Sequence, residues 1–314
     1  MVGVILVSGI DIIVYQDKHN RLTKRKFKDK GSVVTYSNHV SEIDPLFFCA
    51  LFSWLYPNDY QTLPFAKEDV ASYPIINGFL LLSNAIFVYN RDNKPHNNQH
   101  KYIQKKLSSS KGKRNILIFI EGTTFSEKVR DERNKKAKLS NIPSTNNVLK
   151  PHTSGLHLIE ANSDITMEIQ ITLKFIGHDG DTNPDWQWGI YDMIIGRKPK
   201  KVLIYVCTKD LNRKLLTNRK EYNNRIYKNF KEVDDRLGKG ISCWDNNYLK
   251  EHITLRYSDM LWFVIYSIFG IITPYLLFTN IYYGFYFLFT IGFYMVMGEV
   301  EKIKLKHPNM FLNN

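Results

Sequence analysis

The chain has only three cysteines in 314 residues, Cys49, Cys207 and Cys243, an odd number without metal or redox spacing. This excludes a disulfide framework and a zinc module, and it points to a reducing compartment. No internal repeat is present, which excludes solenoids and propellers. Residues 1–15 are apolar except for Asp11, with neither a basic start nor a small-residue cleavage site, so they read as a helix end leading into a strand at 12–15 and not as a signal peptide. Acidic residues are in deficit, 30 against 43 lysines and arginines, leaving a net charge of +13. Such a balance suits nucleic acid, an anionic membrane or a phosphate-bearing substrate, and composition does not choose among them. A hydrophobic fraction of 44% is enough for a large buried core, which excludes disorder for most of the chain.

Charge is missing altogether from residues 260–298, 39 positions rich in Phe, Tyr, Ile and Leu. As helix this is roughly 58 Å, about twice the hydrocarbon thickness of a bilayer, so a membrane hairpin turning at Thr279-Asn280 fits better than one span. Arg256 precedes the run and Lys302, Lys304 and Lys306 follow it, which puts both ends on the cytoplasmic side if the hairpin crosses. The alternative is a very apolar buried helix pair. The resulting division is a domain at 1–240, a linker at 241–259, the hairpin at 260–298 and a basic tail at 299–314.

The positive charge is concentrated between residues 94 and 138, where thirteen lysines or arginines face four acids. A solvated surface helix carrying Lys101, Lys105 and Lys106 is one reading of it; an anionic partner is the other. Nucleic acid is disfavoured, because no zinc, helix-turn-helix or RNA-recognition signature accompanies the charge.

Short β-rich apolar runs at 33–36, 116–120 and 201–208 read as buried strands. Residues 167–175 alternate apolar with Glu168, Gln170, Thr172 and Lys174, which predicts a half-exposed strand. Helical patterns occupy 46–55, 69–82 and 102–107, and strands alternating with helices predict an α/β fold with a mixed sheet and flanking helices. The chemistry collects after two strands, at Asn38-His39-Val40-Ser41-Glu42-Ile43-Asp44 and at Glu121-Gly122-Thr123. Ligands sit at the carboxyl ends of such strands, so the two clusters are expected in one cleft. His39 and Asp44 form a candidate base and its orienter, the carboxylate fixing the ring tautomer and stabilising the imidazolium. Taken alone, Asp44 before Pro45 reads as a helix N-cap and His39 as a hydrogen-bonded structural histidine. The cysteines have no neighbouring base, and Cys49 lies in an apolar helical run.

Asn38-His39-x4-Asp44 followed by Phe119-Ile120-Glu121-Gly122-Thr123 resembles the glycerolipid acyltransferase family, typified by 1-acylglycerol-3-phosphate acyltransferases. The resemblance runs from about residue 9 to residue 235 and includes Lys67, Pro74 and Gly78-Phe79, an arginine of the second motif at Arg91, and a proline-containing fourth motif at residues 148–156. Residues 191–206, with Gly196-Arg197-Lys198-Pro199, resemble the eukaryotic endoplasmic-reticulum branch, which also ends in an apolar segment. There are departures. The second motif, Gly-x-x-Phe-Ile-x-Arg, meets Ala85, Val88 and Tyr89 when aligned on Arg91; Ile120 replaces proline, Thr124 stands where arginine is frequent, and so does His152.

The resemblance implies direct acyl transfer from acyl-CoA to the hydroxyl of a lysophospholipid, with no bound cofactor or metal. His39 is then the base and Asp44 its orienter. Asn38, Arg91, Glu121, Gly122 and Thr123 would line the acceptor site, Arg91 holding its phosphate as a charge-assisted fork. A 1-acylglycerol-3-phosphate acceptor giving phosphatidic acid is the leading expectation, with lysocardiolipin or lysophosphatidylinositol as alternatives and a non-catalytic lipid-binding relative as the rival class. The implied setting is a membrane, endoplasmic-reticulum-like, with the catalytic domain facing the cytoplasm. Oligomeric state is left open.

Overall fold

The computed structural model describes residues 10–18, 21–23, 27, 30–56, 60–72, 80–81, 83–88, 96–109, 112–139, 142–177, 198–253 and six positions between 289 and 297. Arg91, Pro74, Gly78-Phe79 and nearly all of the 260–298 run lie outside them. Among the described residues no helix is long and apolar enough to cross a membrane.

The eight described strands are β1 (Asp11–Gln16), β2 (Ser32–Ser37), β3 (Tyr60–Lys67), β4 (Ile86–Val88), β5 (Lys113–Phe119), β6 (Ile165–Ile176), β7 (Lys201–Asp210) and β8 (Leu249–His252). The α-helices are α1 (Asp44–Leu55), α2 (His96–Ser109), α3 (Glu127–Lys138), α4 (Thr153–Asn162), α5 (Arg219–Leu237) and α6 (Ile241–Asn247). The chain divides into two compact units, residues 1–60 with 118–256, and residues 61–117 with 257–314.

In the first unit the strand order is β2-β6-β7-β1-β8. β2 runs parallel to β6 and β1 parallel to β7, whereas β6·β7 and β1·β8 are antiparallel. The mixed α/β architecture expected from the sequence is therefore observed. The strand that departs from expectation is β6, whose polar positions are not exposed: Glu168, Gln170 and Thr172 are all buried. Its odd-numbered apolar side chains are buried, and one of them, Phe175, packs on Phe47 of α1 with ring centroids 5.3 Å apart. Its even-numbered polar ones lie beneath α5, bonded by the Arg225 guanidinium to Glu168 (2.6 Å), by Gln170 to the Asn229 carbonyl (2.9 Å) and by the Arg236 guanidinium to Thr172 (2.9 Å). Alternation here separates a buried apolar face from a largely buried polar one.

The helices around this sheet follow their sequences. α5 buries Tyr222, Ile226, Phe230 and Val233, one stripe at helical spacing, and starts where the Asn218 side chain accepts the Glu221 N–H at 3.2 Å. α1 is apolar nearly all round; it buries Phe47, Phe48, Leu51 and Leu55, leaves Leu46, Cys49 and Trp54 half-buried, and carries Pro45 in its first turn, where no amide hydrogen is needed. α3 has almost no apolar periodicity and buries only Ala137, so it is not readable from hydrophobic pattern; its start is the Ser126 hydroxyl, which accepts the Val129 N–H at 3.3 Å.

In the second unit β3 and β4 pair in parallel, Phe65 opposite Ile86, with β5 on the other side of β3. Neither β3, with Pro64 inside it, nor the three-residue β4 stands out in the sequence. The helix expected at 69–82 begins instead as a 3-10 turn at Glu68–Ser72. α2 covers the predicted 102–107 and extends beyond it at both ends.

Candidate active site

The site begins where β2 ends. Asn38 continues the β2·β6 ladder with its side chain, donating from Nδ2 to the Leu173 carbonyl (2.9 Å) and accepting the Leu173 N–H on Oδ1 (2.8 Å). This fixes how the chain leaves the sheet, and His39 follows at once. Five residues on, Asp44 opens α1, and its fully buried carboxylate turns back along the loop. Oδ2 accepts from His39 Nδ1 at 2.8 Å and from the Val40 N–H at 2.7 Å, while Oδ1 accepts the Ser41 N–H at 3.1 Å. Asp44 is thus no N-cap: its oxygens meet residues before the helix, not the free amides of the first turn. Burial pushes the Asp44 carboxyl above its usual range, and the His39 ring and the two amides oppose that rise. Because a carboxylate only accepts, Nδ1 of His39 carries the proton and Nε2 keeps its lone pair. The His39 side chain is 18% exposed against 0% for Asp44, so the pair presents the imidazole outward with its partner sealed below.

The second cluster is brought to the first by Glu121. Its buried carboxylate accepts the His39 N–H on Oε2 and the Leu149 N–H on Oε1, each at 3.1 Å. Burial raises the Glu121 carboxyl well above the ordinary range, the nearby Asp44 charge adds to this, and the two amides and the Arg133 guanidinium act against it. Arg133, halfway along α3, donates from Nη1 to the carbonyls of Glu121 (2.8 Å) and Lys150 (3.0 Å). Two more bonds close the arrangement, Phe125 N–H to the His39 carbonyl (2.8 Å) and His152 N–H to the Ile120 carbonyl (2.6 Å). The loops after β2 and β5 and the segment at 148–152 are therefore one hydrogen-bonded unit. Phe119, the last residue of β5, lays its ring on the His39 imidazole with centroids 4.2 Å apart and planes 19° from parallel.

Gly122 has φ +70°, in the region that favours glycine, and a Cβ there would stand 3.2 Å from Cδ2 of His152. Thr123 is half-buried and Gly122 exposed, at the rim of the same turn.

His39, Asp44, Glu121 and Gly122 are thus gathered in one place, as the sequence predicts. Asn38 and Glu121 arrive with their polar atoms engaged by backbone, which differs from the acceptor contact expected of them. Arg133 is a participant that the sequence does not single out. Its only signal is an arginine in a helix so charged that no one position stands out. Burial raises the thiols of Cys49 and Cys207, which leaves both poor nucleophiles. Among the described residues no cluster of His, Cys, Asp or Glu is arranged to hold a metal ion.

A histidine bonded to a buried carboxylate where a strand ends, beside a Glu-Gly turn, is an arrangement compatible with acyl transfer. Residues 16–167 match the family model described as Acyltransferase, which agrees with the resemblance to glycerolipid acyltransferases over that segment. The matched segment contains both clusters and ends within β6. No curated protein matches the chain.

Proposed function

We propose that the protein transfers a fatty acyl group from acyl-CoA to the free hydroxyl of a lysophospholipid in a single displacement. The observation that carries this reading is the His39–Asp44 pair, 2.8 Å apart, with Nε2 of the half-buried imidazole left to act. His39 Nε2 takes the hydroxyl proton as the oxygen attacks the thioester carbonyl. The tetrahedral intermediate collapses, the carbon–sulfur bond breaks, and the proton passes from the imidazolium to the departing CoA thiolate. Asp44 offsets the imidazolium charge while it lasts. No residue is acylated.

The leading acceptor is 1-acylglycerol-3-phosphate, giving phosphatidic acid. Arg91 is its phosphate partner in this reading. Asn84 bears on the register: its φ of +53° is a backbone conformation that favours glycine. Setting the second motif's glycine on Asn84 brings Phe87 and Val88 to its Phe-Ile positions and leaves Arg91 one residue past its arginine. Lysocardiolipin and lysophosphatidylinositol are the alternative acceptors, since Thr124 and His152 replace arginines common in the family. A hairpin at 260–298 would hold the enzyme on an endoplasmic-reticulum-like membrane with its catalytic face toward the cytoplasm, where bilayer-resident acceptors are within reach.

The test is radiolabelled acyl-CoA offered with a panel of lysophospholipids to the full-length protein and to His39→Ala. Transfer to one headgroup, lost in the variant, is the expected result. No transfer to any acceptor by the wild-type protein would favour a non-catalytic lipid-binding relative.

A further inference from the structure

Phe119 ends β5, and Glu121 lies two residues on in the turn closed by the Gly122 N–H donating to the Phe119 carbonyl (3.0 Å); both side chains reach His39. One reaches the ring and the other the main chain. Phe119 covers a face of the imidazole at a 4.2 Å centroid distance and is itself held edge-on by Phe48 of α1 at 5.4 Å and 83°. Glu121 spends one carboxylate oxygen on the His39 N–H and the other on the Leu149 N–H, and it is 0% exposed. With both oxygens inside the protein, this side chain has no acceptor atom facing a ligand.

We infer that Phe119 and Glu121 are positioning residues that clamp His39 from the third motif, and that Glu121 does not bind the acyl acceptor. This rests on His39 being the base. The clamp is complementary to the Asp44 contact. Asp44 fixes the Nδ1 edge, Phe119 blocks rotation of the ring out of its plane, and Glu121 fixes the backbone from which the ring hangs. Nε2 is what remains to meet the acceptor hydroxyl. The requirement is steep, because a misplacement of about 1 Å in a reacting group costs on the order of 10²-fold in rate.

The test uses the full chain and compares wild type with Glu121→Gln, Phe119→Leu and Phe119→Tyr, using oleoyl-CoA and 1-oleoylglycerol-3-phosphate. Steady-state kinetics is combined with amide hydrogen exchange over residues 37–43 and 147–150. Glu121→Gln puts an NH2 group against one of the two backbone amides, and Phe119→Leu keeps bulk and loses the ring. Both should lower kcat by on the order of 10²-fold, with the acceptor KM changing less than about threefold. Phe119→Tyr, which keeps the ring, should recover most of the rate. Glu121→Gln should also speed exchange in both segments, a readout that needs no substrate. A raised acceptor KM with kcat intact in Glu121→Gln would make it a binding residue and overturn the inference. So would unchanged exchange there, or a normal kcat in Phe119→Leu. His39→Ala, assayed alongside, separates the two levels: if it turns over normally, the base assignment has failed and not merely the clamp.

Discussion

The proposed proton transfer uses an imidazole with one nitrogen held and the other bare, an arrangement that residues 38–44 build within seven positions. The four residues between His39 and Asp44 leave room for a loop whose amides at Val40 and Ser41 converge on the same carboxylate. His39→Ala should lower turnover by about 10²- to 10⁴-fold in the acyl-transfer assay while the protein stays folded, as general-base loss does. Near-normal turnover would sink the mechanism. Asp44→Asn should be severe in rate, since an amide cannot balance an imidazolium. It should also lower the melting temperature, because an NH2 group would then face an amide donor in a fully buried place. A drop in melting temperature with normal turnover would leave Asp44 a purely structural residue. Arg91→Ala belongs to the acceptor side. It should raise the lysophospholipid KM more than it lowers kcat, and Arg91→Lys should restore only part, because an ammonium lacks the bidentate fork. An unchanged acceptor KM would show that another group holds the phosphate.

Between elements, the polar contact of β6 and α4 with α5 is the feature with a measurable signature. Glu160 of α4 and Glu168 of β6 are both buried around the single guanidinium of Arg225, 3.6 Å from the first and 2.6 Å from the second. Burial pushes Glu160 up to about 8 from 4.5; the Glu168 charge adds to this and Arg225 opposes it. A carboxyl raised on folding binds its proton more tightly in the native state than in the unfolded one. Its stabilising contribution is thus complete below about pH 4.5 and is lost as pH rises through about 8. The melting temperature of the wild-type protein should therefore decline between about pH 5 and pH 8, and Glu160→Gln should flatten that decline. An identical slope in the variant would locate the titrating group elsewhere. Catalysis is not expected to follow the same curve, since His39 bonds to Asp44 and Glu121 and not to this cluster.

At the scale of the whole molecule the proposed function raises the question of what would hold the protein at a bilayer. The 260–298 run is the proposed anchor, and its hold should be indifferent to salt. The lysines between 94 and 138, among them the exposed Lys135, Lys136 and Lys138 at the end of α3, should add an attraction to anionic headgroups that fades as the screening length shortens from about 10 Å at 0.1 M salt to about 3 Å at 1 M. Ending the chain after Asp259 removes the run and leaves every motif in place. Release of that protein from membranes at high salt without detergent is the expected result. Continued pelleting would mean that the apolar start at 1–13 shares the anchoring.

The sequence by itself determined the mixed α/β class, the strands β1, β2, β6 and β7, the apolar α1, and the coincidence of His39, Asp44, Glu121 and Gly122. These are local matters: periodicity of two, apolar runs, and motif spacing act within a few residues of chain. Pattern failed where burial was not apolar or an element was too short. β6 looked half-exposed because Glu168, Gln170 and Thr172 are polar, and only the docking of α5, with Arg225, Asn229 and Arg236 on its inner side, makes them interior. Likewise the family resemblance implied contact of Asn38 and Glu121 with substrate. The tertiary structure turned both inward, because an amide or carboxylate buried beside unpaired backbone groups must satisfy them: Asn38 with Leu173, and Glu121 with His39 and Leu149. Those partners lie 28 to 135 residues away in the chain, a separation that sequence spacing does not encode and that only the folded backbone closes.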